Sequence, residues 1–398
     1  MDSIFFYQNS EQSTESGKGA LQKLKVAVQP NISVKGWPTE AGSAALAGFK
    51  ALEDAAVVER LSKQGVNIVG SVKTSEFGFG LKGSQAGCAL GKKSADVELM
   101  LDMAGEARLA AARAGVYGFK PSYGLISRLG LVGLIPSMET CGILAHDVPS
   151  IREVLQTIAG PDERDFSLPD EKMPDFSSQK IDPAKTTLGI IEEVLKDLPF
   201  DKRKILDKEL DEFKRKGFQV RELSFPDYSQ LILVHQIVGS VEASSCAGRY
   251  DSVRYGQRVP GAKNWNEMYL QSRGAAFGTL LKSYLFQGAF FQFERYSAYE
   301  DACRLRAQLV SEMQKISEKA DFMIFPTVNP AAPGTLDSLA DIYEQFLYTV
   351  FANVTGQPAL HMPTGNGAGL QLAAKRLADG RLLDLGEYLL SHCRGGKS

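Results

Sequence analysis

Residues 102–124, DMAGEARLAAARAGVYGFKPSYG, constrain the interpretation of this sequence more than any other stretch. The second half, residues 115–124, has three glycines and one proline in ten positions, which is typical of a turn-rich wall that closes an active site. The first half should then carry the chemistry, but it contains Glu106 and a run of alanines, which are strong helix formers. The sequence therefore predicts the frame of an enzyme without an evident reactive side chain.

Length and composition bound the fold and exclude some functions. The chain has 398 residues, of which 44% are hydrophobic and 23% charged, as is ordinary for a folded protein with a large core. Such a length suits two average domains or one large α/β domain. Because 45 basic and 47 acidic residues leave a formal net charge of −2, we expect no direct nucleic-acid binding.

The cysteines are dispersed and odd in number: Cys88, Cys141, Cys246, Cys303 and Cys393. Without a CxxC pair, they predict free thiols in a reducing compartment and no zinc site. The four histidines lack metal-ligand spacing as well, so we expect no metal and no cofactor. No apolar run reaches the length of a membrane span, and the first twenty residues do not resemble a signal peptide. The prediction is a cytoplasmic protein that does not contact a membrane.

Helical and strand patterns alternate along the chain, which predicts an α/β architecture. We expect a disordered lead-in at residues 1–22 and a single α/β domain at 23–398, with a linker-like polar segment at 160–185. Strands are predicted at residues 24–28, 66–70, 187–192, 219–225, 320–326 and 367–373. Helices are predicted at residues 39–64, 94–113, 148–159 and 202–216, together with a helical layer at 264–318 near the mouth of the site.

Four stretches resemble the amidase signature family. They are VAVQPN at 26–31, DAAVVERL at 54–61 followed by VGSVKTSEFGFG at 69–80, GVYGFKPSYGLISR at 115–128, and GQPALHMP at 356–363 with GLQ at 369–371. The resemblance implies the fold of that family, which we expect as a mixed, mostly parallel sheet covered on both faces by helices. It also implies a helical extension before the first strand, and that extension is abbreviated before Val26.

Within the family, the sequence is most similar to the A subunits of glutamyl-tRNA(Gln) amidotransferases. The likeness covers VEASSCAGRYDSVRYG at 241–256 and SRGAAFG at 272–278, and it continues through 285–306. It implies a protein partner that resembles an amidotransferase B or C subunit. We take the surface at 241–258 as the candidate contact, and core packing explains the same likeness equally well.

Amidases of this family use a nucleophilic Ser, a bridging Ser and a neutral Lys, while backbone N–H groups of a Gly-rich turn stabilise the oxyanion. The Lys position corresponds to Gln29, whose carboxamide cannot act as a base at neutral pH. The nucleophile position corresponds to Glu106, and the remnant of the oxyanion turn corresponds to Met103, Ala104 and Gly105. The resemblance thus implies that the catalytic positions are degenerate.

The segment that carries the bridging Ser in the family is missing between residues 81 and 97. A relocated nucleophile would have to lie nearby, and Ser84, Ser94 and Cys88 are the candidates. Glu106 could itself act as a carboxylate nucleophile or base. Because alanines surround it in the sequence, we favour the alternative that it belongs to a helix that fills the emptied site.

Of the two charged residues that bind glutamine in the A subunits, the resemblance implies that one is retained. Arg273 corresponds to the Arg that pairs with the glutamine carboxylate in the A subunits, and its fork of donors suits that anion. The Asp that holds the glutamine amine corresponds to Phe346, so one of the two charge partners is lost. A structural contact of Arg273 at a helix end is an equally good interpretation.

Three hypotheses follow. The leading one is a degenerate homologue of the A subunits that serves binding or assembly. The alternatives are an active amidase or glutamine-hydrolysing amidotransferase subunit with a relocated nucleophile, and a small-molecule sensor that keeps the Arg273 pocket.

Overall fold

The computed structural model describes residues 4–9, 19–364 and 369–393. Its strands are β1 (Phe5–Gln8), β2 (Lys25–Val28), β3 (Asn67–Val72), β4 (Val97–Asp102), β5 (Tyr117–Lys120), β6 (Thr140–Ala145), β7 (Thr187–Ile191), β8 (Gln219–Leu223), β9 (Phe322–Pro326), β10 (Ala359–Met362) and β11 (Leu370–Ala374). These strands form one sheet in the order β1-β3-β2-β4-β6-β5-β10-β11-β9-β7-β8.

The helices fill the connections between these strands. They are α1 (Ala56–Lys63), α2 (Cys88–Gly91), α3 (Glu106–Ala114), α4 (Val148–Ile158), α5 (Glu192–Asp197), α6 (Phe200–Arg215), α7 (Gln230–Ala247), α8 (Trp265–Ala276), α9 (Thr279–Phe293), α10 (Tyr296–Ser317), α11 (Leu339–Gln345), α12 (Phe351–Thr355) and α13 (Asp379–Cys393). The helical layer predicted at 264–318 corresponds to α8, α9 and α10.

Helices cover both faces of the sheet at its centre. On one face α3 packs so closely that a Cβ at Gly118 of β5 would lie 2.5 Å from the Ala111 methyl carbon. On the other face α13 packs on Leu360 of β10, where a Cβ at Gly386 would lie 2.6 Å from that side chain. Leu360 pairs with Phe119, the residue after Gly118, so the two contacts lie on opposite faces. The expected α/β fold with a mixed, doubly covered sheet is confirmed.

The expectation that the sheet is mostly parallel is wrong. Among the described strands, parallel pairing is confined to the two flanks, β3-β2-β4 and β9-β7-β8. The stretch from β4 through β6, β5, β10 and β11 to β9 is antiparallel throughout, as is β1 against β3. At the two flanks the chain alternates between strands and helices, and such crossover connections give parallel pairs. The central strands are joined by return connections, as between β10 and β11, and those connections give antiparallel pairs.

The helix predicted at 94–113 is wrong over its first half. Residues 97–102 form β4, and α3 begins only at Glu106. All six residues of β4 are buried, and a short, fully buried apolar run does not distinguish strand from helix by its periodicity. The break between the two elements lies at Gly105, whose φ of 134° is outside the helical range.

The helix predicted at 39–64 is correct only at α1. Two glycines with positive φ, Gly42 at 65° and Gly48 at 75°, interrupt the preceding segment, which contains a short 3₁₀ turn at Ala44–Leu46. The disordered lead-in is also wrong in part, since β1 pairs with β3 at the edge of the sheet. Residues 1–3 and 10–18 of that lead-in and residues 367–368 of the last predicted strand lie outside the described residues. The other predicted strands and helices occur close to their predicted positions.

Candidate functional site

The candidate site is built on the turn that joins β4 to α3. β4 ends at Asp102, α3 begins at Glu106, and Met103, Ala104 and Gly105 form the turn between them. A side chain at the third position is excluded, because a Cβ on Gly105 would lie 2.0 Å from the Thr349 hydroxyl oxygen. The backbone can therefore direct successive N–H groups toward one point at the start of the helix.

That point is occupied by the carboxylate of Glu106. Its Oε2 accepts hydrogen bonds from the N–H groups of Met103 and Ala104 at 2.8 Å each and from Gly105 at 3.2 Å. Its Oε1 accepts from the Gly80 N–H at 3.3 Å. Glu106 has no solvent-exposed surface. The N–H groups of the turn therefore converge on a carboxyl oxygen that the chain itself supplies.

The surroundings of Glu106 contain groups that raise its pKa and groups that lower it. Burial raises the pKa of its carboxyl group to about 7, and the nearby Asp102 carboxylate adds to the rise. The amide hydrogen bonds from Ala104 and Met103 act in the opposite direction, as does the position at a helix N-terminus. Near neutral pH the group consequently exists as a mixture of its acid and its carboxylate.

A buried ion pair supports the turn from behind. Asp102 accepts from Arg108 Nε at 3.2 Å and from Arg108 Nη2 at 2.9 Å, and neither side chain is exposed. The guanidinium also donates to the Thr349 carbonyl, Gln371 Oε1 and Asn353 Oδ1 at 2.6 Å each. This network ties the β4–α3 turn to α12, β11 and the segment before α12.

Gln29 borders the same turn. It follows β2, it is fully buried, and a Cβ on Gly78 would lie 3.6 Å from its Oε1 and 3.7 Å from Met103 Cε. Among the described residues, neither polar atom of the Gln29 amide has a hydrogen-bond partner. The same holds for one buried side-chain oxygen on each of four neighbours at the ends of β2 and β3: Asn31, Ser71, Thr74 and Ser75.

A histidine that no sequence motif marks as a site residue contacts the turn. His235 of α7 bonds through Nε2 to the Met103 carbonyl oxygen at 2.9 Å and through Nδ1 to the Tyr343 hydroxyl at 3.0 Å. That hydroxyl lies 2.9 Å from the hydroxyl of Tyr284. Burial lowers the pKa of His235 to about 4, so its ring is neutral at physiological pH. No motif indicates this contact; the only hint in the sequence is a histidine within an apolar helix.

Arg273 and Phe346 do not form a charged pocket. Arg273 donates from Nη1 to the Ala247 carbonyl at 3.0 Å, and its guanidinium lies 5.7 Å from the ring centres of Tyr269 and Phe277. It therefore contacts the carboxyl end of α7, which favours the structural interpretation over the sensor hypothesis. Phe346 is fully buried in the core beside α11.

Of the candidates for a relocated nucleophile, Cys88 begins α2, which lies away from Glu106. A Cβ on Gly87 would lie 2.7 Å from Ala114 Cβ, so α2 packs against the last turn of α3. At a rise of 1.5 Å per residue, that turn is about 12 Å along the helix from Glu106. Burial raises the pKa of the Cys88 thiol, which disfavours the reactive thiolate. Ser84 and Ser94 precede and follow α2 in the chain, and the Ser84 hydroxyl accepts from the Ala86 N–H at 3.1 Å.

The described residues contain neither a metal site nor a membrane span. No group of three or more His, Cys, Asp or Glu side chains within them is placed to hold a metal ion. No helix in those ranges is long and apolar enough to cross a membrane. Cys88, Cys141, Cys246 and Cys303 are free thiols.

In the surface segment 241–258, which is the candidate contact with a partner, Val253 and Tyr255 are 45% and 52% exposed.

The strand–turn–helix site and the large mixed sheet coincide with a family match over most of the chain. The family model described as Amidase matches residues 7–92 and 83–383. The protein therefore belongs to the amidase family.

Within this family, the chain is similar to A subunits of glutamyl-tRNA(Gln) amidotransferases. The sequence is 30% identical to the A subunit of the glutamyl-tRNA(Gln) amidotransferase of Lactobacillus johnsonii, with 95% of this chain and 86% of the relative covered. It is 34% identical to the corresponding A subunit of Thermus thermophilus, with 91% and 83% covered. The crystal structure of the A subunit from Thermotoga maritima superposes with a TM-score of 0.81 at 22% identity, covering 98% of this chain and 87% of that one.

Proposed function

We propose that this amidase-family chain is a catalytically degenerate homologue of the glutamyl-tRNA(Gln) amidotransferase A subunits that serves binding or assembly. The observation that supports this most is the contact of the Glu106 carboxylate with the N–H groups of Met103, Ala104 and Gly105. In an amidase, such donors stabilise the oxyanion of the tetrahedral intermediate. An oxygen of the protein that already binds them competes directly with that intermediate, and Glu106 offers no hydroxyl nucleophile.

The opposite side of the site supports the same proposal. Gln29 stands where the family has its Lys, and a carboxamide cannot accept a proton at neutral pH. The buried and neutral His235 does not compensate, because both of its ring nitrogens are engaged by Met103 and Tyr343. Neither Gln29 nor His235 is therefore able to activate a nucleophile beside the turn.

Ammonia release from primary amides tests the proposal. Purified protein is incubated with glutamine, asparagine and a simple aliphatic amide, and ammonia is followed by a coupled assay. We expect no release above background from the wild type or from Glu106→Ala, with circular dichroism confirming that the variant is folded. Turnover that scales with wild-type concentration and disappears in Glu106→Ala would contradict the proposal.

A separate experiment tests the assembly function. The relatives are subunits by name, so we expect this chain to co-elute with a co-expressed protein similar to an amidotransferase B or C subunit. Tyr255→Asp in the segment 241–258 should weaken co-elution, while Phe166→Asp, at a side chain that is 97% exposed elsewhere, should not. The absence of co-elution with either kind of subunit would remove the proposed partners.

A second candidate function is amide hydrolysis with a relocated nucleophile. It is favoured by the retained turn, because movement of the Glu106 side chain would free three convergent N–H donors. Ser84, Ser94 and Cys88 are then the groups to label with an amide-mimicking electrophile. Mass-spectrometric labelling at one of them, together with ammonia release that its Ala variant abolishes, would establish this function. Unlabelled peptides and no ammonia would eliminate it.

A further inference from the structure

Helix α9 presents large aromatic side chains to solvent. Phe286, Phe290 and Phe293 are 71%, 48% and 76% exposed. The other side of the same helix, including Tyr284 and Leu285, is buried in the core. A helix with one buried face ordinarily carries polar residues on the opposite face, so this second apolar face requires its own explanation. We call Phe286, Phe290 and Phe293 the aromatic seam.

The spacing of the aromatic seam indicates which shape fits against it. Its members are four and three residues apart, which is the alternation of the a and d positions in a coiled coil. Side chains at this spacing line up along one edge of a helix and insert between the residues of a second helix. The complementary surface is therefore another helix rather than a loop or a strand.

The distribution of charge favours a second copy of α9 over an unrelated helix. Residues 283–293 contain no charged side chain, with Lys282 at the amino end and Glu294 at the carboxyl end. In an antiparallel pair related by a two-fold axis, Lys282 of one copy approaches Glu294 of the other at both ends. No like charges meet along the seam, so the surface is complementary to itself.

We propose that two copies of this chain associate through the aromatic seams of α9, packed antiparallel about a two-fold axis. Tyr296, the first residue of α10, is 54% exposed and extends the contact at each end. With aromatic side chains that bury about 150–250 Å² each, the four residues provide roughly 500 Å² per copy at their exposed fractions. A stable complex buries about 800 Å² per partner, so the four residues supply more than half of that area, and we expect a weak dimer. This inference does not depend on the proposed function.

Sedimentation velocity over a concentration series from low to high micromolar tests the dimer. The wild type should shift from monomer to dimer, and Phe290→Glu should raise the dissociation constant at least tenfold. Phe200→Glu is the matched control, because it places the same charge at a phenylalanine that is 85% exposed on α6. A wild type that remains monomeric throughout the series, or a dimer unaffected by Phe290→Glu, would overturn the proposal. If the wild type remains monomeric, a different protein would have to cover the aromatic seam.

Cysteine cross-linking tests the antiparallel arrangement. A mixture of Phe286→Cys and Phe293→Cys proteins should form the disulfide-linked heterodimer faster than either variant forms a homodimer, with the wild type reporting the background of the native thiols. Faster homodimer formation by Phe286→Cys alone would indicate parallel helices and contradict the two-fold antiparallel pair.

Discussion

The two sides of the candidate site differ in how their polar groups are satisfied. On the side of the turn, the N–H groups of Met103, Ala104 and Gly105 all donate to one carboxylate oxygen of Glu106. On the opposite side, both polar atoms of the Gln29 amide lack a partner among the described residues. Both side chains are completely buried. The two side chains are thus equally buried, but the Glu106 carboxyl group is hydrogen-bonded through both oxygens and the Gln29 amide has no partner in the described parts of the chain.

This difference indicates that the two buried side chains are not equivalent in their surroundings. Glu106 is matched to its surroundings, because an acceptor is what a cluster of backbone donors requires. Gln29 is poorly matched, since a buried amide without partners costs free energy. We infer that Glu106 has a structural function at the turn, whereas the buried Gln29 amide has no comparable hydrogen-bond network among the described residues.

The largest effect is expected when the support behind the turn is broken. Arg108→Met removes the buried guanidinium from all of its partners and leaves Asp102 as an unpaired buried carboxylate. We expect a loss of about 3–5 kcal/mol in the free energy of unfolding, measured by urea denaturation. A loss no greater than that of an ordinary surface substitution would show that the Asp102–Arg108 pair does not hold the turn.

Glu106→Ala should cost about 3 kcal/mol, because it leaves several buried N–H groups without an acceptor. Glu98→Ala is the matched control: Glu98 is also fully buried, but a single amide, that of Gly87, donates to it at 2.9 Å. The two substitutions remove the same atoms, so the larger cost at Glu106 measures the amide contacts. Equal costs in thermal and urea unfolding would refute the special fit of Glu106.

The stability difference between the wild type and Glu106→Gln should depend on pH. Because the folded protein holds the pKa of Glu106 at about 7, above its unfolded value near 4.5, the contribution of this group is complete below pH 4.5 and is lost as the pH rises through 7. From pH 5 to pH 8 the wild type should lose about 2–3 kcal/mol relative to the variant. A difference that stays constant over this range would mean that Glu106 does not titrate within the fold.

The smallest effect is expected at Gln29, and its sign is reversed. Gln29→Met replaces an unpartnered buried amide with an apolar group of similar shape, and we expect a gain of about 1 kcal/mol. Gln371→Met is the matched control, because that amide accepts from Arg108 at 2.6 Å and donates to the Tyr348 carbonyl at 2.8 Å. The control should be destabilised. Destabilisation of both variants would show that the Gln29 amide is satisfied in solution.

The family fold could be predicted from local patterns, and the direction of the central strands could not. Motifs such as GVYGFKPSYG identify a strand and its turn whatever the neighbouring strand does. Strand direction depends on how distant segments return to the sheet, as when β10 pairs with β5 and with β11. The helix predicted at 94–113 is wrong over residues 97–102 for another reason. A strand that is buried on both faces shows no alternation of apolar and polar residues from which a strand could be predicted.

The candidate site shows the same limit. The sequence placed Gln29, Glu106 and the turn together through the family resemblance, but it predicted Glu106 only as part of a filling helix. The three amide bonds to its carboxylate depend on backbone directions at Met103 and Ala104, which no residue pattern specifies. The contact between His235 and the Met103 carbonyl joins positions 132 residues apart, so only the folded chain reveals it.

The most direct test of the central claim, that Glu106 occupies the N–H donors of the turn, is nuclear magnetic resonance of those amides. With Met103 and Ala104 labelled selectively, their amide proton shifts should titrate with a midpoint near the pKa of Glu106, about 7, in the wild type. The shifts should be independent of pH in Glu106→Gln. Amide shifts in the wild type that neither change across this pH range nor move when Glu106 is replaced by Ala would contradict the claim, because the carboxyl group would then not contact those amides.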